Sequence, residues 1–246
     1  MVEVVTYANK SQGLFEALIH NEFDVPVRVL GWGTKWNGFL DKYKGMVEYL
    51  KDKDDDDVVV FLDGFDTRIN KDPKDIEQIF KSFECGMLVS KDPEPLGGYM
   101  SRKVFETCVD KNIANSGLYM GYAKNVKLVL QDALGMQCED DQRNLNQLCK
   151  KYDFIKVDEE QVIFENIAPL NKWKNSDAIF VSYPASINFQ RVMRSLQEYS
   201  QFFKWQFIVS MVVLLLLLPS TYKWLPAYLS VVGVLFYTLM ADKSCV

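Results

Sequence analysis

The chain has 246 residues, 48% of them apolar and 25% charged, and a formal net charge of −5. That length accommodates one sizeable globular domain with sequence to spare, and the composition is that of a folded chain without low-complexity tracts. The acidic balance speaks against nucleic acid as a partner, and five cysteines without a C-x-x-C pair indicate neither a zinc ribbon nor a disulfide framework.

Residues 2–7 read as a first strand. No basic region or apolar signal core precedes it, so the first domain is expected in the cytosol with reduced thiols. Residues 11–23 carry Leu14, Phe15, Leu18 and Ile19 at helical spacing, with Ser11 as the N-cap. Residues 26–30 form a second strand, followed by the glycine-punctuated loop Gly31-Trp32-Gly33-Thr34-Lys35-Trp36. A helix over 40–50 leads into the acidic run 52–57, which reads as a solvated surface.

Val58, Val59, Val60, Phe61 and Leu62 then form an apolar run typical of a parallel strand buried on both faces. It ends in Asp63-Gly64-Phe65-Asp66. Open α/β sheets bind ligands at the carboxyl ends of such strands. Two neighbouring carboxylates resist joint ionisation, and a hard divalent cation relieves the conflict while offering open positions to substrate phosphates. Asp and Gly also form turns, which is the plainer account of the same residues.

Asp72-Pro73 is expected to open a helix reaching residue 83, followed by a strand over 86–90. Residues 92–101, with two prolines and two glycines, read as a surface loop. A strand over 118–122, a helix over 126–134 and a helix starting at Asp140 or Asp141 come next, then short strands over 154–157, 162–164 and 178–182. Alternating strands and helices from residue 1 to 90 make the fold class α/β.

The globular part is expected to end near residue 184, with an amphipathic connector over 185–204 and a tail over 241–246. Residues 205–218 and 224–240 are apolar and nearly free of charge. As helices the apolar stretches span about 21–22 Å each, short of the roughly 30 Å of hydrocarbon. Together with the turn at Pro219, Lys223 and Pro226 they predict a membrane hairpin over 205–240, spanning or partly inserted. Arg191, Arg194, Lys204 and Lys243 flank it, so the positive-inside tendency puts the catalytic domain on the cytosolic side.

Four segments resemble the glycosyltransferase domain of the procollagen lysyl hydroxylases. Val29-Leu30-Gly31-Trp32-Gly33-Thr34-Lys35-Trp36 is similar to that family's VLGxGxxW, and Leu62-Asp63-Gly64-Phe65-Asp66 to its strand followed by D-x-[YF]-D. Asn115-Ser116-Gly117-Leu118-Tyr119-Met120-Gly121-Tyr122-Ala123 resembles NSGGFIGYA, and Glu139-Asp140-Asp141-Gln142 resembles DDDQ. The resemblance implies a GT-A type, Rossmann-like nucleotide-sugar-binding domain over 1–184. It further implies a UDP-sugar donor and Mn²⁺ or Mg²⁺ as cofactor. Asp63 and Asp66 would hold the metal, and Trp36 and Phe65 would lie at the nucleotide. Asn115 and Ser116 would line the sugar pocket, and Asp140 and Asp141 would stand near the acceptor and the transferred sugar. Simple chemistry offers alternatives for several of these: Asp140 and Asp141 can cap a helix, and Asn-Ser-Gly can form a turn.

The chain departs from the family where a histidine would complete the metal site, because the matching region, Ile179-Phe180-Val181-Ser182-Tyr183-Pro184, has none. Water or Ser182 replaces that ligand, or the site binds metal weakly, or it is degenerate. The resulting expectation is a membrane-anchored hexosyltransferase acting on an unidentified glycan, protein or lipid acceptor. An inactive membrane-tethered binding module of the same fold is the alternative. A haloacid-dehalogenase-type phosphatase is a further alternative, opposed by the spacing of Asp63 and Asp66.

Overall fold

The computed structural model describes residues 2–94, 98–168 and 175–184, with seven isolated positions between 205 and 233. Residues 1–185 and 186–246 form two compact units. The first is built on a six-stranded sheet in the order β2-β1-β3-β6-β5-β7. These strands are β1 (Glu3–Tyr7), β2 (Val27–Leu30), β3 (Val58–Asp63), β5 (Met87–Lys91), β6 (Ala114–Tyr122) and β7 (Ile155–Asp158). A smaller sheet has the order β4-β9-β8, from β4 (Thr67–Ile69), β8 (Phe164–Asn166) and β9 (Phe180–Ser182).

The central strand is buried on both faces, as its apolar run predicts. Val59 and Phe61 point into one core cluster and Val58, Val60 and Leu62 into the other. Full burial of each such side chain stabilises by roughly 1.5–3 kcal/mol. The first cluster is closed by helices α2 (Leu40–Tyr49), α5 (Ala123–Leu134) and α6 (Asp141–Cys149), through Tyr43, Met46, Val126, Leu130 and Leu145. The second is closed by α1 (Phe15–Ile19), α3 (Ile76–Ser82) and the small sheet, through Leu18, Phe80, Phe164 and Phe180. The remaining helix, α4 (Gly98–Phe105), precedes β6 in the chain.

The sheet is mixed rather than all parallel. β1 runs parallel to β2 and β3, whereas β6 runs antiparallel to both β3 and β5. The strand expected over 118–122 starts at Ala114, and the register shift between Val89 and Ser90 absorbs the polar Asn-Ser-Gly segment that locally favours a turn. The predicted loop over 92–101 gives way to α4 at Gly98, and β4 has no counterpart among the predicted elements. α1 is shorter than its stripe and is preceded by Leu14, not capped by Ser11. α3 starts at Ile76, after Pro73, with Asp75 before it.

The expectation of reduced thiols is corrected in part. Cys108 and Cys149, 41 positions apart, are joined in a disulfide with 4.9 Å between their Cα atoms, while Cys85 is free. Their approach depends on the tertiary fold, which chain spacing alone does not disclose. The predicted hairpin over 205–240 lies almost wholly outside the described residues, among which no helix is long and apolar enough to cross a membrane. The described positions Trp205, Val209, Val212, Val213 and Leu229 are helical and exposed.

Candidate active site

β3 delivers Asp63 at its carboxyl end, in register with Tyr7 of β1. Three residues on, Asp66 immediately precedes β4, which pairs with β9 through Thr67 and Ser182. That pairing fixes Asp66 twice. Its carbonyl accepts the N–H of Tyr183 at 2.8 Å, and its Oδ1 accepts the hydroxyl of Ser182 at 3.0 Å. Burial, followed by the charge of Asp63, pushes the Asp66 carboxyl up to about 7, against the lowering influence of Ser182 and Lys42.

Lys42, in the first turn of α2, is the centre of the site. Its Nζ lies 2.8 Å from Oδ2 of Asp141 and 3.3 Å from Oδ2 of Asp63. The lysine and Asp141 side chains are only 5% and 7% exposed, and that of Asp63 25%. Burial alone would favour a neutral amine, but the two carboxylates together outweigh it and hold Lys42 charged, its pKa above the ordinary value. A buried ion pair of this kind needs its remaining valences filled. Ser116 on β6 donates to the same Oδ2 of Asp141 at 2.8 Å, and Tyr43 donates its hydroxyl to the Asp141 carbonyl at 3.0 Å.

Asp140 and Asp141 therefore have different surroundings although they are adjacent. Asp140 is the N-cap of α6, its Oδ1 accepting the N–H of Arg143 at 2.8 Å. Asp141 turns inward to Lys42. Asn115 is held within a separate network. Its Nδ2 donates to Oε1 of Gln142 at 3.3 Å, its Oδ1 accepts the N–H of Gly117 at 2.8 Å, and Gln142 donates to Asp92 at 2.9 Å. Burial raises the Asp92 carboxyl above its ordinary range. This network stitches the first turn of α6 to the start of β6 and so sets the position of Asp141.

The aromatic residues flank the carboxyl ends of β1 and β2. Trp36, 37% exposed, leans on Tyr7 with ring centroids 5.9 Å apart and meets Phe39 edge-on at 6.0 Å. Gly31 has φ +73°, and a Cβ there would strike the Tyr7 ring at 2.3 Å, so only glycine lets the loop bend this close. Trp32, 56% exposed, stacks on Phe15 at 5.1 Å. Phe65 is half-buried, and its carbonyl accepts the N–H of Leu14 at 2.8 Å.

The fold thus brings Asp63, Asp66, Asp141 and Ser116 into one site, puts Trp36 beside a strand that ends there, and assigns Asp140 and Asn115 hydrogen bonds within the scaffold. Among the described residues no three His, Cys, Asp or Glu side chains stand close enough to hold a metal ion. What the site offers a cation is Asp63, Asp66 and the hydroxyl of Ser182, a set of hard oxygen donors suited to Mg²⁺ or Mn²⁺. Three carboxylates face one ammonium here, so a divalent cation would complete the balance of charge. Lys42 is not among the residues that motif reading singles out, although a signal exists: with Met46 and Tyr49 it follows helical spacing toward the core, an unusual place for a lysine.

The sequence profile of the PLOD GT domain matches residues 1–178. No curated protein matches the chain at the sequence level. Among solved structures, the chain is similar to a galactosyltransferase, LgtC, in complex with donor and acceptor sugar analogs, with 12% identity and a TM-score of 0.47, covering 75% of this chain and 87% of that one. It is likewise similar to an active-site mutant of LgtC, with 11% identity and a TM-score of 0.48, covering 76% of this chain and 89% of that one.

Proposed function

The chain belongs to the PLOD GT domain family, and from that premise we propose that it transfers a hexose from a UDP-sugar to an acceptor, with a divalent cation at Asp63 and Asp66. The observation that carries this reading is the ammonium of Lys42 between Asp63 and Asp141, buried and charged. It joins the carboxylate at the end of the central strand to one on a separate helix, so that two acids stand at one site. When bound, the cation would neutralise charge developing on the departing diphosphate.

The chain's own residues supply the rest. Lys42 pairs with Asp63 and Asp141, and Ser116 fixes the orientation of the Asp141 carboxylate. In this reading Asp141 accepts a hydrogen bond from a sugar or acceptor hydroxyl and opposes positive charge at the anomeric centre. Trp36 and Phe65 offer faces on which a flat base can lie. The uncharged stretches within 205–240, with exposed apolar side chains at Trp205, Val209 and Leu229, support attachment to a membrane.

The test is a screen of UDP-sugars with the purified chain, following UDP release and UDP affinity with and without Mn²⁺ or Mg²⁺. Metal-stimulated release from one hexose donor is expected. Absence of UDP affinity in every condition would sink the transferase reading and leave a scaffold of the same fold.

A further inference from the structure

We infer that Ser182 is a direct ligand of the divalent cation, and that its neutral hydroxyl makes the site one for hard, oxygen-seeking ions, Mg²⁺ as readily as Mn²⁺. This rests on the transferase reading of the same site.

Ser182 is 2% exposed and ends β9, opposite Thr67 on one side and Asn166 on the other. Its carbonyl accepts the N–H of Ile167 at 2.8 Å, so its backbone is held by both neighbouring strands. The Oγ is aimed at Asp66, 3.0 Å from Oδ1. A hydroxyl that donates one hydrogen bond keeps lone pairs for a cation, and serine or threonine hydroxyls serve as Mg²⁺ ligands in phosphate-binding loops. On the other side of Asp63, Lys42 already occupies the space toward Asp141. Asp66, three residues after Asp63, presents the carboxylate that Ser182 holds, so the hydroxyl stands beside the second acid of the pair.

The chain's one histidine, His20, lies at the surface, paired with Glu16 at 3.5 Å with both side chains largely exposed. Asp63, Asp66 and Ser182 thus give oxygen donors only, with diphosphate and water oxygens left to complete six positions. Nitrogen and sulfur donors favour the later transition ions over Mg²⁺, and their lack narrows that difference.

Ser182→Ala and Ser182→Cys, made in the full chain and checked by thermal melting, separate ligation from simple hydrogen bonding. Binding of Mg²⁺, Mn²⁺ and Cd²⁺ would be measured by calorimetry, with UDP affinity followed in parallel. Ser182→Ala is expected to lose about tenfold or more in affinity for Mg²⁺ and Mn²⁺ alike. Ser182→Cys should bind Mg²⁺ weakly, bind Cd²⁺ more tightly than the parent, and show a sulfur-to-cadmium charge-transfer band. Parent-like Mg²⁺ affinity in Ser182→Ala, or Cd²⁺ bound by Ser182→Cys without that band, overturns the inference. If the parent still shows metal-dependent UDP binding in that case, the transferase reading stands. A parent without UDP affinity removes both.

Discussion

Lys42 and Asp66 dominate the electrostatics of the candidate site at the residue scale, and they act in opposite senses. Lys42→Met would leave Asp141 buried, and Asp63 partly so, without a counter-charge, and removal of one partner from a buried pair costs about 3–5 kcal/mol. Urea unfolding of the variant should show that loss, together with loss of turnover. Asp66 does the reverse, because its carboxyl, raised to about 7 by burial and by Asp63, holds a proton in the folded chain that the unfolded chain has lost above about 4. Stability of the metal-free protein should therefore fall as pH rises from about 4 to about 7. Melting curves across that range should show the slope. Asp66→Asn should flatten it, and saturating Mg²⁺ should restore stability at the alkaline end. The acid-ended strand is legible as a candidate site because two carboxylates at the end of a buried strand call for a counter-charge, which a turn alone does not supply. The ammonium that joins Asp63 to Asp141 is not, because it comes from another element and one of its partners, Asp141, is 99 positions away in the chain.

At the scale of elements, the start of α6 separates two carboxylates that the sequence presents as equals. Asp140→Ala removes the cap on Arg143 and should cost about 1 kcal/mol of stability, with a moderate fall in turnover as the first turn frays. Asp141→Asn should leave UDP affinity near that of the parent while reducing transfer far more. Equal effects of both changes on UDP affinity would show the roles to be wrongly divided. The other end of α6 is held by Cys149, bonded to Cys108. Chain-entropy arguments give such a bond about 4 kcal/mol for a loop of this length. Unfolding of the Cys108→Ala, Cys149→Ala double variant should show a loss of that order or somewhat less. Periodicity locates most helices and strands, but it passes over β4 entirely and misplaces β8, because three-residue strands carry too little pattern to distinguish from turns.

For the whole molecule, charge distribution and covalent structure point in different directions. The lysines and arginines flanking 205–240 favour a cytosolic catalytic domain. A disulfide between two buried cysteines persists in an oxidising compartment. The bond belongs to the fold itself, and on that ground we propose that residues 1–185 reside in an oxidising compartment, on the non-cytosolic side if residues 205–240 enter a membrane. Protease treatment of sealed vesicles, with tags at both ends of the chain, should then leave residues 1–185 shielded. Digestion of that unit in intact vesicles, with Cys108 and Cys149 open to alkylation, would place it in the cytosol instead.

The antiparallel insertion of β6 between β3 and β5 also constrains how the polypeptide can assemble as it leaves the ribosome. β1, β2 and β3 can pair once residue 63 has emerged, but β5, though complete by residue 91, has no neighbour until β6 arrives. A nascent chain of intermediate length therefore presents the flank of β3 as an unpaired, apolar edge, the kind of surface on which chains associate. Fragments ending between residues 91 and 114 should aggregate, whereas chains reaching past residue 182, with α5, α6, β7 and the small sheet in place, should regain solubility.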